Sequence, residues 1–95
     1  MKKDNFKTEV IFRVDKEGVF ALLPYDIARN DGAVTSYQHI GQHGAAWYGY
    51  CIDSSRPAKP EEYDPLFKEM ESLGYNLKIV KRQNRKRYIN CLTSL

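Results

Sequence analysis

Thr8-Glu-Val-Ile-Phe-Arg-Val-Asp-Lys-Glu-Gly-Val-Phe-Ala-Leu-Leu23 decides the fold. Its first half alternates, with Val10, Phe12 and Val14 on one side and Glu9, Ile11 and Arg13 on the other. Asp15 to Gly18 is turn chemistry, and Val19 to Leu23 is a second apolar run that Pro24 should stop. Two β-rich runs about a short glycine-containing connection predict a β-hairpin. The second run is apolar at every position, so it should lie centrally in a sheet covered on both faces. The first should lie at an edge, guarded by the charged tail before it.

Working outward, residues 24–33 hold Pro24, Asp26, Asn30, Asp31 and Gly32 and read as a loop with a sharp turn at 30–32. Val34 to Ile40 alternates as a third strand. Residues 41–50 are punctuated by glycine, and residues 51–60, with Pro57 and Pro60, read as a second long connection. Tyr63, Leu66, Phe67, Met70 and Leu73 then recur at helical spacing. Pro60-Glu-Glu supplies an acidic first turn and Gly74 a stop, so a helix is expected from about residue 60, running through Pro65. Tyr75 to Lys81 alternates again as a strand, Arg82 to Lys86 reads as a polar turn, and Arg87 to Leu92 is either a short strand or a helical tail. The order β-β-β-α-β, with a final β as an option, predicts an α+β fold: a mostly antiparallel sheet with one helix on one face. The 95 residues make a single domain with residues 1–7 as a flexible tail.

Composition narrows the function. A chain of this length buries only somewhat more than ~60% of its unfolded surface, which leaves little room for a deep enclosed active site. The net charge of +3 does not by itself demand nucleic acid. No apolar run approaches ~18 residues, so no membrane partner is expected. No apolar stretch of the kind a secretory leader needs follows the basic start Met1 to Lys7, so the expectation is a cytoplasmic chain without a leader. Cys51 and Cys91 form no metal-binding spacing and should be free thiols in a reducing compartment.

Ser36 to Cys51 concentrates the chemistry. It contains both histidines, the only tryptophan, three of the seven tyrosines and three of the six glycines. Ring side chains with polar handles beside approachable backbone suit a recognition surface, with Tyr37, His39, His43, Trp47, Tyr48 and Tyr50 as its candidates. His39 and His43 are four apart but have no glutamate between them and lie among glycines, so no metal is expected. The glycines match neither a phosphate loop nor a dinucleotide fingerprint. No serine sits in a nucleophile elbow, and Cys51 reads as a small hydrophobe more readily than as a nucleophile. The expected protein is not an enzyme and needs no cofactor.

The last third is the second feature. No acidic side chain follows Glu71, and Lys78, Lys81, Arg82, Arg85, Lys86 and Arg87 supply six positive charges in ten residues. Of these, Lys81, Arg82, Arg85, Lys86 and Arg87 are the candidate contacts, for phosphates or for partner carboxylates.

Four stretches, Thr8-Glu-Val-Ile-Phe-Arg, Val19-Phe-Ala-Leu-Leu-Pro-Tyr, Ser36-Tyr-Gln-His-Ile-Gly-Gln-His and Gly74-Tyr-Asn-Leu-Lys-Ile-Val-Lys, resemble a family of short uncharacterised proteins from gut bacteria and their phages and plasmids. The resemblance implies no site residue. It implies a context in which small proteins bind and inhibit or redirect a host macromolecule. Three functional expectations follow. The first is a non-catalytic protein that engages a host defence or nucleic-acid-processing protein through aromatic and arginine anchors. The second is direct nucleic-acid binding by the basic segment. The third is a nucleotide-sequestering pocket between the rings and the 41–44 glycine turn. A monomer is expected, with a symmetric dimer as the alternative.

Overall fold

The hairpin is the spine of the molecule. In the computed structural model, which describes residues 7–38 and 42–94 (with the backbone alone at Gln42), β1 spans Thr8–Asp15 and β2 spans Gly18–Ile27. They pair antiparallel from Ile11↔Leu22 to Asp15↔Gly18. Gly18 closes the turn at φ +119°, a conformation that costs a residue without Cβ little. Glu17 N–H donates to Asp15 Oδ1 at 2.8 Å and stiffens the same turn.

Strand alternation splits the core in two. Val10, Phe12, Ala21 and Leu23 join Tyr37, Leu66, Met70 and Leu77 on one face. Ile11, Phe20, Leu22 and Val34 form a second core on the other. The all-apolar second run is therefore central and covered on both sides, as its composition requires. Pro24 does not stop it. Pairing with the next strand shifts register between Leu23 and Ile27, and proline is tolerated at such an irregularity because no ladder N–H is needed there.

The third strand, β3, is Val34–Gln38, antiparallel to β2. In the glycine-punctuated stretch, where no strand was expected, β4 (Gln42–Ala46) pairs antiparallel with β3 and forms one edge of the sheet. Its run Gly44-Ala45-Ala46 offers no apolar alternation, so only backbone pairing reveals it. A six-residue helix, α1 (Tyr48–Asp53), follows, then the two-residue β5 (Arg56–Pro57) against Arg13 and Val14. The 75–81 strand is shorter than expected: β6 is Leu77–Ile79 and pairs with Thr8–Val10 in parallel. With β2 on one side and β5 and β6 on the other, β1 is interior rather than an edge.

The class is α+β with a mostly antiparallel sheet. The expected helix is α2 (Pro60–Ser72), which buries Leu66 and Met70 on the first core. Pro60 opens it, and Glu62 Oε1 accepts the Lys59 N–H at 2.8 Å. Leu73 falls at its C-cap and is 53% exposed, so it leaves the apolar stripe; Gly74 turns the chain at φ +105°. Arg85–Thr93 is helical, not a strand, and forms α3, capped by Asn84 Oδ1 accepting from Arg87 N–H at 3.0 Å. Tyr48, Cys51 and Ile52 of α1 and Tyr88 of α3 pack on the second core, so helices cover both faces. No helix among the described residues is long and apolar enough to cross a membrane. The expected tail, apart from Lys7, lies outside the described residues, as do His39 and Ile40.

Candidate functional site

The structure separates the aromatic candidates by depth. Tyr37 is fully buried in the first core and donates its hydroxyl to Glu69 Oε2 at 2.5 Å, which removes it from any recognition surface. Its position on the sheet face covered by α2 is the reason. His39 lies outside the described residues. His43 is exposed on β4, packs edge-on against the Tyr37 ring and hydrogen-bonds Tyr75 Oη at 3.0 Å. Tyr48 is half-buried against the second core. Trp47 and Tyr50 are 50% and 73% exposed. The Arg29 guanidinium lies 5.9 Å from the Trp47 ring, a cation–π contact no local pattern announces.

The expected 41–44 glycine turn is in part strand. His43 and Gly44 belong to β4, and a Cβ at Gly44 would stand 3.3 Å from Ser36 Oγ. That glycine therefore serves the close β3–β4 pairing rather than a phosphate cradle among the described residues. Cys51 sits on the inner side of α1, where burial first and the Asp15 charge second push its thiol pKa up. That is opposite to what a nucleophile needs. Both cysteines are free.

The basic segment is pinned to the sheet at its start. Gln83 N–H donates to Tyr48 Oη at 2.9 Å, Gln83 Nε2 to the Pro24 carbonyl at 2.7 Å, and Asn84 N–H to Tyr25 Oη at 2.6 Å. Tyr88 Oη then donates to the Gly32 carbonyl at 2.6 Å. Arg87 is committed to the fold: it bridges Glu9 Oε2 at 2.7 Å and stacks 4.0 Å above the Tyr25 ring. Its hydrogen bond to Glu9 raises its already high pKa. Lys81, Arg82, Arg85 and Lys86 are exposed and make no ion pair among the described residues. None of them pairs with an α2 acid among the described residues.

Tyr48 thus brings together what is far apart in sequence. Its hydroxyl holds α1 against the turn that begins α3, so the open Trp47 and Tyr50 and the unpaired cations belong to one side of the molecule. Reading the sequence alone missed Tyr25 and Arg29, which support this side by stacking. It also missed the inward stripe Tyr48, Cys51, Ile52, whose i, i+3, i+4 spacing was present but short.

These features define a small α+β domain with a cationic, aromatic-edged face. No protein-family model, curated protein or solved structure matches the chain.

Proposed function

We propose that this chain is a small non-catalytic binding protein that engages or inhibits a host macromolecule, with a defence or nucleic-acid-processing protein as the target class. A mobile-element or phage origin accords with the sequence resemblance. The observation that carries the reading is the Tyr48–Gln83 hydrogen bond, which unites α1 with the basic turn. Exposed Trp and Tyr beside unpaired Arg and Lys are the residue types that anchor interfaces. Their charge calls for an acidic partner surface. The face is complete within one copy, which supports a monomeric unit.

The test compares capture from host lysate, with and without nuclease, by the wild type and by two variants, Trp47→Ala/Tyr50→Ala and Arg82→Glu/Arg85→Glu/Lys86→Glu. Loss of one nuclease-resistant partner with both variants, each still cooperatively folded, is the expected result. Retention of that partner by both folded variants refutes the reading.

Direct nucleic-acid binding is the second reading, favoured by four cations that have no acidic partner among the described residues. It requires affinity for labelled oligonucleotides that falls steeply with salt. No binding at micromolar protein and low salt removes it.

A further inference from the structure

The outer edge of β1 carries a different surface. β6 occupies its first half in parallel and β5 its second half in antiparallel sense, and both are very short. The chain leaves β6 through Val80 and Lys81 and leaves β5 through Ala58 and Lys59. Val80 N–H donates to the Val10 carbonyl at 2.9 Å and Ala58 N–H to the Phe12 carbonyl at 3.1 Å, so each wall is tied to the strand between them. The space they enclose beside Ile11 and Phe12 is a cleft of about 610 Å³.

Its walls are mainly apolar. Phe12 and Tyr63 line it and stack nearly parallel, with ring centroids 4.7 Å apart and planes at 12°. Tyr63 is only half-buried, and Ile79 on the opposite wall is 41% exposed. Every charged residue of the lining is a cation: Arg13, Arg56, Lys59 and Lys81. Arg13 is occupied by the carbonyls of Ile52 and Ser55. Arg56 is occupied by both carboxylate oxygens of Glu62. Lys59 and Lys81 remain, one on each wall, without an ion pair among the described residues, although the Lys59 charge also acts on the nearby Glu62 carboxylate.

We propose that this cleft binds a small aromatic anion. A volume of several hundred Å³ with apolar walls and a few polar groups suits a ligand of that size. A flat ring extends the Phe12–Tyr63 stack, where offset ring contacts are favourable. Its carboxylate or sulfonate meets the Lys59 and Lys81 ammonium groups at the mouth, while the lysine stems cover apolar surface. A cationic ligand of the same shape is disfavoured by charge. Of the exposed cations assigned to the α1–α3 face only Lys81 also lines the cleft, so its test uses Lys59 and Ile79.

Two fluorescent probes of similar body decide it: anilinonaphthalene sulfonate, an anion, and phenylnaphthylamine, which is neutral. The sulfonate should bind saturably at one site and more tightly than the neutral probe. Lys59→Glu should weaken the sulfonate by roughly three- to tenfold, as expected for reversing one partly exposed charge, and leave the neutral probe unchanged. Ile79→Glu should weaken both. Lys16→Glu, the same charge change in the β1–β2 turn and outside the cleft lining, should weaken the sulfonate less than Lys59→Glu does. Amide shifts on adding the sulfonate should centre on Ala58, Ile79 and Val80. Circular dichroism verifies each fold, and Lys59→Glu carries the test alone if Ile79→Glu unfolds. Equal affinity for the two probes, equal effects of Lys59→Glu and Lys16→Glu, or shifts centred on Trp47 to Tyr50 overturn the proposal. None of these outcomes depends on partner capture by the other face.

Discussion

Replacing Gly32 by alanine should loosen the attachment of α3, and the structure sets the size of the effect. Gly32 lies at φ +93° in the turn before β3, and its carbonyl accepts the Tyr88 hydroxyl at 2.6 Å. A Cβ at this position would meet the same hydroxyl at 2.6 Å, closer than such contacts occur. Two costs arise. Holding an L-residue at positive φ costs about 1–2 kcal/mol, and expelling the tyrosine hydroxyl loses a hydrogen bond worth about 1 kcal/mol. Gly32→Ala should therefore destabilise by roughly 2–3 kcal/mol, a fall of about 10–20 °C in melting temperature for a domain of this size. Tyr88→Phe should cost about 1 kcal/mol alone. In the double variant the hydrogen bond is already gone and the Cβ has room, so the total should stay near 2–3 kcal/mol, a coupling of about 1 kcal/mol. Urea unfolding of the four proteins measures the cycle. Additivity within about 0.3 kcal/mol would refute an energetic link between Tyr88 and Gly32.

Three further outcomes are expected. Arg13 is buried, donating Nε to Ser55 Oγ at 2.9 Å and Nη2 to the Ile52 and Ser55 carbonyls at 3.0 and 2.8 Å. An ammonium cannot reproduce that fork, so Arg13→Lys should cost about 1–3 kcal/mol and alter the near-UV dichroism of Trp47 and Tyr48; a wild-type melting curve would contradict this. Trp47→Ala/Tyr50→Ala should stay within about 1 kcal/mol of wild type because both rings are largely open, whereas Tyr48→Ala should cost roughly 2–4 kcal/mol. The reverse order in thermal denaturation would place the rings wrongly. Finally, the hydrogen bonds from Arg56 and from the Lys59 N–H lower the Glu62 pKa from 4.5 to about 2. A carboxyl lowered by folding stabilises above its unfolded value and loses that contribution as pH falls through about 2. Urea midpoints between these limits should fall less steeply with acid in Glu62→Gln, and identical slopes would rule the pairing out as their cause.

Local pattern alone determined a good part of this protein. The hairpin is written in two alternating or apolar runs about Asp15 to Gly18, and the central place of the second run in its lack of any polar face. Pro60, the stripe Tyr63, Leu66, Phe67, Met70 and the stop at Gly74 define α2 because capping and one apolar face act over a few residues. The remaining elements depend on partners distant in sequence. β4 has small side chains and exists through its ladder with β3; β6 is short and pairs in parallel with a strand about seventy residues earlier. Helix α3 could be read locally as strand or helix, and the choice fell to the Asn84 cap and to Tyr88 reaching Gly32. The site divides the same way. That residues 36–51 and 81–87 are rich in rings and cations is plain from composition. Only the tertiary structure buries Tyr37, commits Arg87 to Glu9, leaves Trp47 and Tyr50 open and joins the two segments through Tyr48. Whether a ring is core or surface depends on which sheet face it meets and what covers that face, and a short helix or an edge strand owes its stability to that covering rather than to its own residues.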